Sequence, residues 1–455
     1  MVIKKALFYL FLVSIPFGTR LFLHKFTNGF HEYESMWLYA SDFFLVLFLT
    51  FSFAGIKDLK SEILNLKSKI ILPSLFLLFV FISIFFASSF GLALYKFLRL
   101  LFLILMAFAV ANLLKDKTVF KAALFIIAVL AAIQSLIGFM QFTGQENLGL
   151  QILGESPISV SDGGTSKIII EGAAVMRAYG IFPHPNILSS FLLLGLFSCY
   201  YFWLRRPSEK KIFSSFKNLL SDLIIGFGIF IIAFGLMLSF SRASWIIISI
   251  ISIALIIYLF IKRKYFLQTF RLAVFLAAIS LIFILYFNAY IFPRAKVSVN
   301  EPAVTERFIY NRLGVDLIKN NWLGVGIGNQ VIYSVENGVY KKFGMNKVWQ
   351  WQPIHNLYLL VGAEIGIIGA LLFIIFFVSL FLNSKPKKTN YKKIADSNNN
   401  KLLGFHSLET GISEAILASL LLFGLFDHFL WAIWQGQLML WFAVGILISA
   451  RRVYS

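Results

Sequence analysis

Four polar stretches interrupt a chain of 455 residues that is otherwise strongly apolar. The first reads Arg177-Ala-Tyr-Gly-Ile-Phe-Pro-His184-Pro-Asn186, and the second Ser239-Phe-Ser241-Arg242-Ala-Ser244. The third opens with Glu306-Arg307, passes Arg312 and Asp316, and ends in Trp322-Leu-Gly324-Val-Gly326-Ile-Gly328-Asn329. The fourth is Pro353-Ile-His355-Asn356, followed by Glu364-Ile-Gly366. Arginines grip phosphate or carboxylate with a planar pair of donors, and an imidazole is the usual general base near neutral pH. Together they fit transfer chemistry on an anionic substrate. The outer segments hold no Asp-x-Asp, no His-x-x-x-His, no cysteine pair and no P-loop. A Mg²⁺-dependent nucleotide-sugar site needs clustered carboxylates, so no metal and no cofactor is expected.

Each residue carries a plain alternative. Arg242 lies between two apolar runs. It reads either as a snorkelling interfacial arginine or as an anion site with Ser239, Ser241 and Ser244 at a helix N-terminus. With residues 306–323 wound as a helix at about 100° per residue, Arg307 falls in a broad arc with Phe308, Tyr310, Val315, Leu317, Ile318 and Trp322. Arg312, Asp316 and Lys319 fall opposite, with Arg312 and Asp316 spaced for a surface pair. Arg307 is then the inward arginine, or a tether to lipid headgroups. His355 is a candidate base or a helix-mouth residue bonded to a loop. Glu364, about two and a half turns further on, orients the site or pairs with a buried donor such as Arg99. His184, between two prolines, reads as a rigid turn, and Asn356 and Ser241 as supporting polar groups. The three spaced glycines lack the strand–helix setting of a dinucleotide site and read as a close-packed turn.

These residues need a membrane framework to hold them. Hydrophobic residues make up 59% of the chain and charged residues 14%, against about 45–50% and about 25% in soluble domains. Spans of about 20 apolar residues fall near 6–23, 37–56, 70–88, 94–114, 119–141, 187–204, 221–239, 243–261, 271–292, 354–382, 411–429 and 432–450, the eleventh ending in Asp427-His428. The reading is an all-α polytopic protein of about twelve transmembrane helices with a large extracytoplasmic loop. Met1–Lys5 resembles the start of a signal peptide, but Pro16 and Arg20 interrupt the apolar run behind it, so a retained first helix is expected.

The net charge of +20 resides mostly in alternate loops. Lys4 and Lys5; Lys57, Lys60, Lys67 and Lys69; Lys115, Lys117 and Lys121; Arg205, Arg206, Lys210, Lys211 and Lys217; Lys262, Arg263, Lys264 and Arg271; the 385–400 linker; and Arg451 and Arg452 all fall on one side. Basic loops stay cytoplasmic, so both termini are expected there, and the charge sets topology rather than marking nucleic-acid binding. The expected organisation is a helical unit over 1–141, a first outer loop over 142–186, helices over 187–292, a large outer loop over 293–353, and final helices over 354–455 around a cytoplasmic linker at 383–407. Cys199 is the one cysteine and reads as a small core residue.

In this order the motifs resemble the O-antigen ligase and polymerase family over roughly residues 170–370. The resemblance implies a fold like that of the GT-C glycosyltransferases, lying in a bacterial cytoplasmic (inner) membrane with its active site on the extracytoplasmic face. It implies metal-free transfer of a glycan from an undecaprenyl diphosphate donor to a hydroxyl of a glycan or lipid A-core acceptor, among membrane lipids. By the same resemblance His355 activates the acceptor, while Arg242 and an arginine of the large loop, matching Arg307, hold the diphosphate. Arg177 matches a first-loop arginine, and His184 departs from the family pattern. The competing class is a transporter or flippase of an anionic lipid-linked glycan, which usually shows paired repeats with broken helices; the two outer loops differ in length and motif.

Overall fold

The computed structural model describes residues 2–26, 32–54, 67–206, 216–263, 265–296, 301–382 and 407–454. The 385–400 linker and Lys57, Lys60, Lys210, Lys211 and Lys264 of the basic loops lie outside them. The protein is an all-α polytopic membrane protein. Its first half comprises α1 (Val2–Ser14), β1 (Arg20–Lys25), β2 (Ser35–Tyr39), α2 (Ala40–Phe53), α3 (Lys67–Ser83), α4 (Phe90–Leu113), α5 (Lys117–Gly144), β3 (Lys167–Ile170), β4 (Ala173–Met176) and α6 (Pro185–Leu204). Its second half comprises α7 (Phe216–Leu238), α8 (Arg242–Lys262), α9 (Phe266–Tyr286), α10 (Asn288–Ala295), α11 (Pro302–Asn320), α12 (Gln330–Glu336), α13 (Val339–Lys342), α14 (Leu357–Leu382), α15 (Leu408–Phe423), α16 (Phe429–Ala432) and α17 (Trp434–Tyr454).

Among the described residues eight helices are long and apolar enough to cross a membrane: α4 to α9, α14 and α17. The other apolar stretches read as spans are shorter helices. α1 has 13 residues and α15 has 16, about 20 and 24 Å at 1.5 Å per residue, below the roughly 30 Å of a hydrocarbon core. The first expected span, 6–23, is corrected in kind as well as length. Pro16, which has no N–H to extend a helix, comes just after the end of α1. Beyond it Arg20–Lys25 forms an antiparallel hairpin with Ser35–Tyr39.

α6 sits at the centre of the bundle. It is apolar on every side and buried on nearly all of them, as expected of a helix with no polar face, and it packs against α5, α7 and α15.

α14 is broken. Gly366 has φ 78° and ψ 170°, so the helical ladder is interrupted, and the chain 322–328 enters the gap. Val325 and Gly326 donate their N–H groups to Ala363 O and Glu364 O, and Ile367 N donates to Trp322 O, all within 3.0 Å. Irregular backbone is tolerated among transmembrane helices where protein covers it, and Gly324 to Ile327 are buried. A side chain at Gly324 would collide with the backbone of Glu364 and Gly366 at 2.4–2.5 Å. The glycine run is thus the close-packed turn that its spacing implied, and it fastens the long loop before α14 to that helix about ten residues after His355.

Candidate functional site

The site forms where α11, the start of α14, the start of α6 and the turn before α16 converge. Asn356 sets the start of α14: its Oδ1 accepts from Tyr358 N at 3.0 Å and Leu359 N at 3.1 Å, and its Nδ2 donates to Leu425 O at 3.1 Å. This caps the helix and ties it to the turn carrying Asp427 and His428. His355 is thereby held one residue before the cap. Its ring stacks on Tyr310 of α11, with centroids 4.6 Å apart and planes 11° apart, and meets the edge of His428 at 5.0 Å.

His355 Nδ1 lies 2.9 Å from Pro353 O. A carbonyl oxygen only accepts, so Nδ1 carries the hydrogen and the neutral ring keeps its lone pair on Nε2. Burial, opposed by Asp427, holds the imidazole below its ordinary 6.5. The ring is therefore neutral at pH 7, with Nε2 as its base.

Asp427 anchors the other side. Its Oδ2 accepts from Asn186 Nδ2 at 2.7 Å, and its Oδ1 from His428 N at 2.8 Å. Burial raises its carboxyl, but the polar groups around it, the Asn186 bond among them, bring it below the ordinary carboxylate range. Arg177 is fully committed: Nε donates to Ser239 O at 2.7 Å, Nη1 to Ser166 Oγ at 2.8 Å and Nη2 to Asn186 Oδ1 at 3.0 Å. It braces the loop before α6 against α6 and the α7–α8 hinge. His184 accepts from Asn186 N through Nδ1 at 3.1 Å and starts α6, in keeping with a rigid turn.

The two arginines expected at a diphosphate differ. Arg307 points inward, is half-buried, and has an enclosed Nε with no hydrogen-bond partner among the described residues. Arg242, at the start of α8, gives Nη1 and Nη2 to the two oxygens of Glu301 at 2.7 and 2.9 Å. Arg294 joins the same carboxylate at 2.9 Å and interacts electrostatically with both Arg242 and Arg307. A protein carboxylate thus occupies the fork of Arg242, where an exogenous anion was expected. Ser241 acts locally, its Oγ accepting from Ser244 N as the cap of α8.

Three further expectations are corrected. Phe308, Val315 and Trp322 are exposed, at 57%, 41% and 59%. The inward face of α11 is the narrower set of Tyr310, Leu313 and Leu317, because the helix crosses the bundle as a surface element. Arg312 is exposed as expected, but Asp316 pairs instead with Lys342 at 2.8 Å, which the fold of the loop brings closer. Glu364 does not pair with Arg99, whose partner is Asp42 at 2.9 Å. Glu364 accepts from Gly328 N and Trp431 Nε1, both at 2.7 Å, and so clamps the glycine loop to α16.

Sequence reasoning missed Arg294, Glu301 and Tyr33, whose ring lies 5.7 Å from His428. Arg294 carried a usable signal, an arginine after a proline at the outer end of a span. Tyr33 carried none.

Beneath Arg242 a groove of about 680 Å³ runs between α7, α8 and α9, walled by Met237, Trp245, Ile248, Ile253, Leu276 and Phe283. Residues 227–374 match the family model described as O-antigen ligase. That segment of the chain is thus similar to the O-antigen ligase family. The matched segment holds Arg242, Arg294, Glu301, Arg307, His355 and Glu364, and it supports a membrane enzyme that transfers glycans, of the ligase or polymerase kind. No curated protein matches the chain.

Proposed function

We propose that the protein transfers a glycan from an undecaprenyl diphosphate donor to a sugar hydroxyl on a glycan or lipid A-core acceptor, at the extracytoplasmic face of the inner membrane, with both termini cytoplasmic. The observation that carries this reading is a neutral His355, with Nε2 free to accept a proton, in a centre that also holds the unpartnered Arg307.

In this reading Arg307 takes the diphosphate first. Arg242 and Arg294 take its other phosphate once Glu301 gives way, so that guanidinium donors meet the charge that grows on the leaving group. The polyprenyl chain lies in the apolar groove below Arg242, where burial contributes about 25 cal/mol per Å². The acceptor hydroxyl gives its proton to His355 Nε2 as its oxygen attacks the anomeric carbon. The bond from that carbon to the phosphate oxygen breaks, and the diphosphate leaves with the electron pair. One displacement inverts the anomeric centre. The leaving group is already good, so the protein supplies one base, worth typically 10²–10⁴-fold, and cationic donors, without a metal.

The test is reconstitution in vesicles with a purified undecaprenyl diphosphate glycan and a defined acceptor, in EDTA. The expected product carries a new glycosidic bond of inverted configuration, at a rate that added Mg²⁺ does not change. Movement of the lipid-linked glycan across the bilayer with no new bond contradicts the reading and favours a flippase. Retained configuration contradicts the direct displacement.

A further inference from the structure

Lys96 lies six residues into α4, about 9 Å from its outer end at 1.5 Å per residue. An ionisable side chain inside a membrane helix costs a few kcal/mol unless it is matched. The charges facing Lys96 are Arg99, Glu364 and Glu32, and each has its own partner. Arg99 is held by Asp42, Glu32 by Arg20, and Glu364 by Gly328 N and Trp431. Lys96 has no hydrogen bond or ion pair among the described residues.

Its side chain is nevertheless firmly placed. Gly328, at φ 72°, leaves the room its stem occupies, since a Cβ there would lie 2.6 Å from Lys96 Cγ. Lys96 borders two small cavities of about 30 Å³ each. One is lined by Tyr33, Pro353, Glu364 and Trp431, the other by Glu32, Trp37, Tyr39 and Trp434, and both by Gln437. A water needs about 10–15 Å³ of such space, so each cavity takes the oxygens of a small anionic group but not a sugar ring. Pro353 and Tyr33 border the catalytic centre as well, through the Pro353 O bond to His355 and the contact of Tyr33 with His428.

We propose that Lys96 forms an anion subsite behind His355, receiving a carboxylate or phosphate carried by the acceptor while the ring bearing the reactive hydroxyl stays on the His355 side. The aromatic and amide lining is the chemistry that recognises a sugar substituent, and Lys96, with no ion pair among the described residues, supplies the cation beside the hydrogen-bonded Glu364 and the Arg20-paired Glu32. The subsite rests on the glycan-transfer reading for the identity of its ligand, and Lys96 lies outside the segment that matches the family model.

The test is direct binding of glucuronate and of glucose to the purified full-length protein in detergent, which needs no transfer activity. A charge-assisted contact gives a preference for glucuronate of about tenfold. Lys96→Gln should remove that preference to within about twofold, Lys96→Arg should retain part of it, and Arg307→Ala should leave it intact. Equal binding of the two sugars by the wild type overturns the proposal even if Lys96→Gln fails to fold. A preference lost in Arg307→Ala but kept in Lys96→Gln also overturns it, by moving the anion to the diphosphate site. A protein that binds glucuronate through Lys96 yet forms no glycosidic bond contradicts the proposed function and leaves the subsite standing.

Discussion

Two arginine centres lie near each other, and they are solved differently. Around Arg242 the guanidinium groups are partnered: two nitrogens of Arg242 meet the two oxygens of Glu301, and Arg294 shares that carboxylate. Around Arg307 they are not. Among the described residues its Nε and His428 Nδ1 are enclosed without a partner, and the Nε2 of His355 makes no hydrogen bond. Buried polar atoms are almost always paired, and leaving one unmatched costs about 1–3 kcal/mol. In the proposed function, the difference separates a centre that holds the fold in the absence of substrate from one whose remaining bonds are made with substrate.

The largest expected effect comes from removing the base. His355→Ala should lower the initial rate of glycan transfer by about 10²–10⁴-fold while the protein still inserts and folds, as checked by size-exclusion profile and melting temperature. Next are the arginines. Arg307→Ala should lower transfer by about 10–100-fold, from the loss of charge-assisted bonds of about 1.5–3 kcal/mol. Arg307→Lys should recover only part of it, because the planar fork is gone. Arg177→Ala sharpens the comparison. All its donor groups bond to protein, so it should lower the melting temperature and the yield of folded protein, whereas Arg307→Ala should not.

A subtler change falls on the satisfied centre. Glu301→Gln removes the carboxylate that competes for Arg242 and Arg294, so donor KM should fall a few-fold while kcat changes less. A rise in KM would mean that Glu301 positions the arginines rather than standing in for phosphate. The smallest effect belongs to Arg312→Ala, within about twofold of wild type, since its side chain is solvent-facing on α11 and lone surface charges contribute little.

How much of the fold and the site is legible in the sequence depends on the range of each interaction. The apolar stretches are legible because hydropathy is local, and so is the inward turn of Arg307, because a helix repeats every few residues. The hairpin of β1 and β2 is not. Leu21, Phe22 and Leu23 are as apolar as α1, yet they are exposed strand residues, and only Pro16 and Arg20 mark the change. The pairing of Arg242 with Glu301 joins a helix start to a loop with no periodicity, and the contact of His355 with His428 spans two helices; neither leaves a trace in spacing. Lys96 is hidden because it sits in a run of apolar residues whose partners come from β2, the glycine loop and the final helices.

The central claim is that the neutral imidazole of His355 accepts the proton of the acceptor hydroxyl. Its ordinary value of 6.5 is depressed by burial, so the neutral form persists at lower pH than for a free histidine. The most direct measurement is the pH dependence of kcat/KM for transfer by the reconstituted wild-type protein. A base held below its ordinary value gives an acid limb whose midpoint lies below 6.5. An acid limb centred at or above 6.5 would contradict it, as would a rate that rises as the histidine becomes protonated.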